Sequence, residues 1–396
     1  MAQASLQNSI RHIVFFVQEN RSLDTYFGRL NAYRQSRGFS GSDFDGIPLT
    51  ITPAPVDQAG NPVQPFHQRT VCTDSLNPGW NESHRDVNGG KMDGFMINSA
   101  FPTTNDPNGQ RAMGYYDQTE LNYYYELATQ YATSDRFFSS VLSGTIPNRM
   151  YLYAGTSFGH VGVDTSPAGG WTQPTIFGAM LDAGINFRYY YQNTAQEDLR
   201  SWADFNRVAS HVFPISQYFV DLQSESTTPS VIFIERGGED EHPGKNFQPG
   251  VVLTKTFIDA LMKSPAWPSS VFILTFDEGG GLYDHVPPAV VPAPDSIAPL
   301  DLTQWDGFTQ TGFRVPFLIV SPWVRPHYVS HVVREHTSIL KLIETRFGLP
   351  PLTARDAWAD DMTEFFDFNS PPNLTLPSLP QPATNGVCNF SLSAAP

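Results

Sequence analysis

The chain has 396 residues, enough to bury a large core as one big α/β domain or two smaller ones. Charged residues make up 16%, below the roughly 25% of an average domain, and aromatic residues reach 13%. The formal charge of −15 repels a polyanion at long range. Nucleic-acid binding as a main function is therefore disfavoured, whereas a small anionic substrate stays compatible with the composition.

The sequence contains no apolar run of the roughly 18 residues that a bilayer span needs. The N-terminal stretch MAQASLQNSIRH has neither the charged region nor the apolar region of a signal peptide. Cys72 and Cys388 either form one disulfide that clamps the tail to an early loop or remain separate thiols. The aromatic-rich, lysine-poor composition favours a secreted or periplasmic protein whose signal was removed, with a cytoplasmic protein as the alternative.

Apolar strands alternate with helical segments along the chain, which predicts an α/β fold with a mostly parallel central sheet. Without an internal repeat or a composition break, we expect a single domain over residues 1–396. It would carry a loop-rich excursion at about 38–112 and a Pro/Ser-rich tail at about 369–396. Strands are predicted within 13–17, 185–191, 231–234, 271–276 and 313–323, and helices within 119–132, 150–154, 176–183, 251–264 and 336–348.

Three of the predicted strands end in carboxylate or amide side chains. Glu19 and Asn20 follow the first strand, Glu235 follows the strand near 231, and Asp277 and Glu278 follow the strand near 271. If these strands are neighbours, the side chains converge at one edge of the sheet, where open α/β sheets bind ligands. Oxygen donors of this kind suit Ca²⁺, Mg²⁺ or Mn²⁺. The alternative is a set of ordinary polar loops and turn caps.

Thr145 is a second candidate site residue, because it lies just before a helix in which Pro147 fits the first turn. The positive end of the helix dipole would stabilise an alkoxide or a bound anion there, although the threonine could equally serve as a helix cap. Three histidines in Gly- or Pro-rich acidic loops are candidate proton donors, with a plain surface role as the alternative: His84, His242 and His285.

Several segments together resemble one phosphoesterase family, which includes bacterial non-haemolytic-type phospholipases C, plant non-specific phospholipases C and related bacterial acid phosphatases. The similarity runs from about residue 10 to residue 368, in the family's order. It is carried by HIVFFVQENRSLDTYFG, NGGKMDGF, MGYYDQTELNYYYELA, SGTIPNRMYLYAGTS, TFDEGGGLYDHVPP, GFRVPFLIVSPW and HTSILKLIETRFGLPPLTARDAWADDM.

The resemblance implies an alkaline-phosphatase-like, three-layer α/β/α sandwich with a divalent metal site, in which Zn²⁺ is an alternative to the harder cations. The surroundings of His84 depart from the family's usual pattern. The implied roles are metal ligation by Glu19, Asn20, Thr145, Asp277 and Glu278, nucleophilic attack by Thr145, and proton transfer by His84, His242 and His285.

The expected reaction is a two-step phosphoryl transfer through a phosphothreonine at Thr145. The expected substrate is the phosphodiester of a phospholipid, met at a membrane surface without a transmembrane segment. A broad-specificity acid phosphatase acting on monoesters is the alternative enzyme. A metal-stabilised protein that only binds a phosphorylated ligand is the non-enzymatic alternative. The oligomeric state is left open by the sequence.

Overall fold

Helices cover both faces of a central β-sheet in the computed structural model, which describes residues 2–39, 43–162, 164–193, 198–300, 304–305 and 307–390. The strands are β1 (His12–Gln18), β2 (Phe66–His67), β3 (Gly114–Tyr115), β4 (Ala132–Ser134), β5 (Phe137–Phe138), β6 (Phe187–Tyr191), β7 (Val212–Pro214), β8 (Val231–Ile234), β9 (Ser270–Phe276), β10 (Phe317–Val320), β11 (Tyr328–Ser330) and β12 (Arg334–Glu335). The helices are α1 (Ala2–Ser9), α2 (Leu23–Phe27), α3 (Leu30–Ser36), α4 (Trp80–Val87), α5 (Asn122–Gln130), α6 (Thr145–Ala154), α7 (Ile176–Asp182), α8 (Phe205–Val208), α9 (Ser216–Asp221), α10 (Gln248–Met262), α11 (Thr337–Phe347) and α12 (Ala354–Trp358).

The central sheet has eight strands in the spatial order β11–β4–β10–β9–β1–β8–β6–β7. The five strands β7, β6, β8, β1 and β9, adjacent in that spatial order, run parallel to one another. Strand β10 runs antiparallel to both of its neighbours, β9 and β4. The prediction of a mostly parallel sheet is therefore confirmed. Strand β1 lies in the middle and is buried along its whole length, which explains its continuous apolar run.

Two adjacent side chains of β1 show that both faces of the sheet are covered. The ring of Phe15 packs 4.8 Å from that of Phe233, which in turn lies 5.6 Å from Tyr153 of α6. The ring of Phe16 packs 5.4 Å from Phe257 of α10. Because consecutive side chains of a strand point to opposite faces, α6 and α10 lie on opposite sides of the sheet. The predicted three-layer α/β/α architecture is confirmed.

Some element boundaries differ from the sequence prediction. Helix α6 begins at Thr145 itself, because Gly144 is extended and serves as the N-cap, so Thr145 does not lie before the helix. His84 lies in helix α4 and not in a loop. The predicted strand at 313–323 is confirmed only for its central part, β10, and helix α10 starts at Gln248, earlier than predicted.

The excursion and the tail pack onto the domain by different means. Within residues 38–112, a second apolar cluster includes Met92, Phe95 and Met96. In the tail, Cys388 forms a disulfide with Cys72, with the two Cα atoms 4.9 Å apart. No described helix is long and apolar enough to cross a bilayer.

We expect the disulfide to contribute strongly to stability because it closes a loop between residues separated by 316 positions. The Cys72→Ser, Cys388→Ser double variant should lose about 2–5 kcal/mol of unfolding free energy. Denaturant melts of the two proteins, with Ser370→Ala as the tail control, measure the loss. Equal melting midpoints would contradict the expectation.

Candidate active site

The carboxyl ends of three neighbouring parallel strands form the floor of the site. In the sheet register, Phe16 of β1 pairs with Ile234 of β8, and Gln18 of β1 pairs with Phe276 of β9. The side chains that follow these strands therefore emerge side by side, at the edge where parallel sheets bind ligands. The three strands are therefore neighbours, which is the condition for these side chains to converge at one edge of the sheet.

Thr145 lies over this edge at the N-terminus of α6. Its Oγ1 donates to Glu19 Oε2 at 3.2 Å and lies 3.5 Å from Asn20 Oδ1. Asn148, one turn into the helix, holds the preceding loop: its Oδ1 accepts from Ser140 N at 2.9 Å and its Nδ2 donates to Ser143 O at 2.8 Å. The loop and the helix thus fix the threonine hydroxyl against the end of β1.

Arg149 is the central positively charged residue of the site, and no chemical role for it was predicted from the sequence. Its Nη2 donates to Glu19 Oε1 at 2.6 Å and its Nη1 to Glu235 Oε1 at 3.1 Å, while its Nε lies 3.4 Å from Asp277 Oδ2. Arg149 follows Thr145 by four residues, so both side chains project from one face of α6. This four-residue spacing is the sequence feature that could have indicated that Arg149 lies beside Thr145.

Arg236 and Asp198 also belong to the site, and nothing in the sequence around them indicated this. Arg236 donates to Glu19 Oε1 through Nη1 and to Asp198 Oδ1 through Nη2, the latter at 3.0 Å. Burial raises the pKa of Asp198 to about 7, helped by the charge of Glu235. Arg236 lies in an irregular segment and Asp198 begins the short 3₁₀ helix Asp198–Ser201, so neither lies in a stretch whose periodicity indicates which way a side chain points.

Glu19 is the ionised carboxylate of the group. Burial alone would raise its pKa, but the charges of Arg149 and Arg236 outweigh burial and lower the pKa to about 2. At pH 7 Glu19 therefore accepts the Thr145 hydroxyl as a carboxylate and is too weak a base to remove its proton. Glu235, which the sequence grouped with the strand-end acids, instead accepts from Arg149, Tyr153 and Tyr189.

Asp277 and Glu278 are buried carboxyls with unused oxygens. Asp277 Oδ1 accepts from Asn20 N at 3.0 Å and from Glu278 N at 2.8 Å, whereas Asp277 Oδ2 and Glu278 Oε1 are buried without a hydrogen-bond partner. Burial raises the pKa of both groups, and the negative charges nearby raise it further. Glu278 Oε1 and Asp277 Oδ2, which has only the ion pair with Arg149 Nε at 3.4 Å, lie beside the carboxylate of Glu19, and this set of oxygens fits a divalent cation.

The backbone at this edge is held close together. Asn20 has a left-handed conformation, with φ of 55°. A Cβ atom on Gly280, which has φ of +69°, would lie 2.5 Å from Asn20 O. Only glycine fits there, so the glycine run after Glu278 lets the two ligand-bearing turns pack directly against each other.

A cleft of about 450 Å³ opens above these groups, and Asn20, Thr145, His242 and residues 76–82 line it. The imidazole of His242 has its Nδ1 beside Pro243 O, so Nδ1 carries the proton that is donated to this carbonyl. Nε2 is then the ring atom that exchanges a proton with a group in the cleft. His242 is the predicted histidine that the structure brings to Thr145.

His84 does not line this cleft. Its Nδ1 lies 2.7 Å from Trp80 O, one helical turn back, and its ring packs between the indoles of Trp80 and Trp305 at 4.2 and 4.8 Å. Burial lowers its pKa to about 4, so it is neutral at pH 7. The helix directs the imidazole toward a neighbouring cleft, which the sequence could not reveal.

His285 is likewise held away from Thr145. Its Nδ1 lies 2.7 Å from Asp24 Oδ2 and its Nε2 lies 3.2 Å from Asp45 Oδ1. Burial lowers its pKa, but the hydrogen bonds to Asp24 and Asp45 outweigh burial and raise the pKa to about 9. Asp24, Asp284 and His285 are close enough to hold a metal, but Arg314 already pairs with both aspartates at 3.0 Å.

Comparisons with known proteins show what this chain is similar to. The chain is 30% identical over 430 residues to Phospholipase C B of Mycobacterium tuberculosis, covering 96% of this chain and 81% of that protein. It is 31% identical over 419 residues to Non-specific phospholipase C3 of Arabidopsis thaliana, covering 95% of this chain and 78% of that protein. A solved protein in the alkaline phosphatase superfamily from Vibrio parahaemolyticus aligns with 83% of this chain and 76% of that chain, at 10% identity and a TM-score of 0.38.

The model of one family, the Phosphoesterase family, matches residues 10–350. That stretch contains the three strand ends, Thr145, Arg149 and His242. This chain therefore belongs to the Phosphoesterase family and is a hydrolase that acts on phosphate esters.

Proposed function

We propose that this protein is a phosphoesterase of the phospholipase C type, in which Thr145 attacks phosphorus and forms a phosphothreonine intermediate. The observation that carries the proposal is the position of Thr145 Oγ1, which lies in the cleft, 3.2 Å from Glu19 Oε2. The N-terminus of the ten-residue helix α6 directs its positive dipole end at this place. An anionic phosphoryl group is stabilised there.

The chain's own residues account for both steps of the transfer. Thr145 Oγ1 loses its proton to solvent and bonds to phosphorus, while the bond from phosphorus to the alcohol oxygen breaks and His242 protonates that oxygen. In the second step His242 takes a proton from water, the water oxygen bonds to phosphorus, and Thr145 Oγ1 leaves. The phosphorylated headgroup is released as a phosphomonoester, and Thr145 Oγ1 regains a proton from solvent.

A divalent cation would be held by carboxylate, amide and hydroxyl oxygens at the strand ends. The buried oxygens Asp277 Oδ2 and Glu278 Oε1, neither of which accepts a hydrogen bond, support this assignment. When bound, the cation lowers the pKa of the threonine hydroxyl and neutralises charge on the phosphoryl oxygens. The donor set favours Ca²⁺, Mg²⁺ or Mn²⁺ over Zn²⁺. The proposed ligands are Glu19, Asn20, Thr145, Asp277 and Glu278.

The substrate is the phosphodiester of a phospholipid, reached at a membrane surface. Support comes from the relatives, which are named phospholipase C in both the bacterium and the plant. The protein works outside the cytoplasm, in a secreted or periplasmic location, because the Cys72–Cys388 disulfide requires an oxidising compartment.

Thr145→Ala should reduce turnover by at least about 10³-fold, because the reaction loses its nucleophile, while Thr145→Ser should keep measurable activity. Acid quenching during turnover of the unsubstituted protein, followed by peptide mass spectrometry, should find the phosphoryl group on Thr145. Near-full activity of Thr145→Ala, or label on another residue, would overturn the mechanism.

Removal of divalent cations with a chelator should abolish turnover, and titration with Mg²⁺, Ca²⁺ or Mn²⁺ should restore turnover and raise the melting temperature. At one hundred times the dissociation constant, the bound ion adds about 2.7 kcal/mol of stability. In Asp277→Asn the melting temperature should no longer respond to the cation. Asp117→Asn, in a separate His67–Asp117–Glu120 group, is the matched control and should respond normally. An unchanged response in Asp277→Asn would place the metal elsewhere.

Phosphatidylcholine and p-nitrophenyl phosphorylcholine should be cleaved with a higher kcat/KM than p-nitrophenyl phosphate, because the proposed substrate is a diester. Diacylglycerol should appear as the lipid product. The opposite order, with the monoester preferred, would replace this proposal by a broad-specificity acid phosphatase that uses the same nucleophile. Stoichiometric binding of all three without turnover would indicate a phospholigand-binding protein.

A further inference from the structure

The turn that carries His242 contains a residue in an unusual conformation. Glu241 has φ of 66°, in the left-handed region that costs a residue with a Cβ atom about 1–2 kcal/mol. Its side chain is nevertheless 1% exposed and points into the domain, whereas His242 next to it lines the cleft. The turn therefore places a buried carboxyl group and a cleft-lining imidazole on consecutive residues.

The carboxyl group of Glu241 accepts hydrogen bonds from three separate elements. Tyr26 of α2 donates to its Oε2 at 2.9 Å, and Tyr124 of α5 donates to its Oε1 at 2.5 Å. Gln18, at the end of β1, donates to Oε1 at 3.1 Å. Donors from three elements fix both oxygens, so the side chain has a single position.

The backbone of the same turn is bound to the strand end that carries Glu19. Glu19 N donates to Asp240 O at 2.9 Å. The Nε and Nη2 atoms of Arg21 both donate to Glu241 O, at 2.8 and 2.6 Å. The guanidinium of Arg21 itself lies over the ring of Tyr26, at 5.1 Å. The turn is thereby held in register with the proposed nucleophile and ligands.

The start of helix α10 closes the remaining side of the Glu241 pocket. A Cβ atom on Gly250 would lie 2.3 Å from Glu241 Cγ, so the helix backbone packs directly on the side chain. By contrast, the hydrogen bonds that the structure gives His242 stay within its own turn, to Pro243 O from the ring and to Asp240 Oδ1 from the backbone. The position of the imidazole therefore follows the position of Glu241.

From these contacts we infer that Glu241 is a positioning residue for His242: its buried side chain, held by Gln18, Tyr26 and Tyr124, aims the imidazole at the leaving oxygen. The inference rests on the proposed role of His242 as the general acid. Glu241 does not touch the substrate. Its contribution is to keep Nε2 within proton-transfer distance, a geometry that general acid catalysis requires.

The expected signature of Glu241→Gln is a dependence on the leaving group. An alcohol with a high pKa needs a proton as its bond to phosphorus breaks, whereas p-nitrophenolate leaves without one. Turnover of an alkyl diester such as phosphatidylcholine should fall about 10-fold or more with little change in KM. The first-turnover burst of p-nitrophenolate from p-nitrophenyl phosphorylcholine, which reports only the first step, should change less than about 2-fold.

A double-mutant cycle with His242→Ala tests whether Glu241 acts through the imidazole. In the His242→Ala background, Glu241→Gln should cost nothing further on either substrate. Glu344→Gln, which alters a buried carboxyl in α11, is the matched control and should leave both activities unchanged. Tyr124→Phe removes one donor to Glu241 and should show the same leaving-group pattern more weakly, which keeps the test available if Glu241→Gln does not fold.

A loss in the p-nitrophenolate burst equal to the loss in turnover of the alkyl diester, or additive losses in the cycle, would overturn the inference. Failure of the proposed role of His242 would give a different result from failure of the positioning role of Glu241. If His242→Ala itself keeps full activity on phosphatidylcholine, then His242 is not the general acid. If His242→Ala is impaired and Glu241→Gln is not, only the positioning role is lost.

Discussion

The buried guanidinium of Arg149 is the interaction on which the rest of the site depends. Three strands of a parallel sheet end in carboxyl groups that are out of contact with water, and a buried carboxylate without a partner costs several kcal/mol. Arg149 contacts Glu19, Glu235 and Asp277 within 3.4 Å, one at the end of each strand. Since a guanidinium presents its donors in a rigid planar fork, it also fixes these carboxyls relative to one another.

Arg149 connects these strand-end carboxyl groups to Thr145, the proposed nucleophile. It lies one helical turn after Thr145 on α6, so the helix that neutralises the strand ends also holds the threonine hydroxyl above them. Asn148 secures the loop before the helix with both ends of its amide. Thr145 is thus held by a helix and a secured loop, and the acids lie in turns directly after strand ends, so rigid elements support the proposed site.

The positive charges of the protein do not balance all the buried carboxyl groups at the strand ends. Arg149 and Arg236 keep Glu19 ionised, with a pKa of about 2, yet burial raises the pKa of Asp277 and Glu278 well above the usual range. The two arginines thus neutralise Glu19 but leave Asp277 and Glu278 with too little positive charge nearby. The proposed divalent cation would supply positive charge there, beside the place where a phosphoryl anion would bind.

Local patterns in the sequence predicted five strands of the central sheet, five of the longer helices and the strand-end positions of Glu19, Asn20, Asp277 and Glu278. They did not predict the short strands β4, β7 and β11 or the other helices. Apolar runs and helical spacing are local, and parallel strands bring their carboxyl ends together. Tertiary packing alone decided which histidine faces Thr145, because the surroundings of His84, His242 and His285 in the sequence are alike. Packing also decided the contacts of Arg149 and Arg236 and the pairing of Cys72 with Cys388, since those contacts join residues distant in the chain. Their geometry depends on how whole elements pack, which no local pattern encodes.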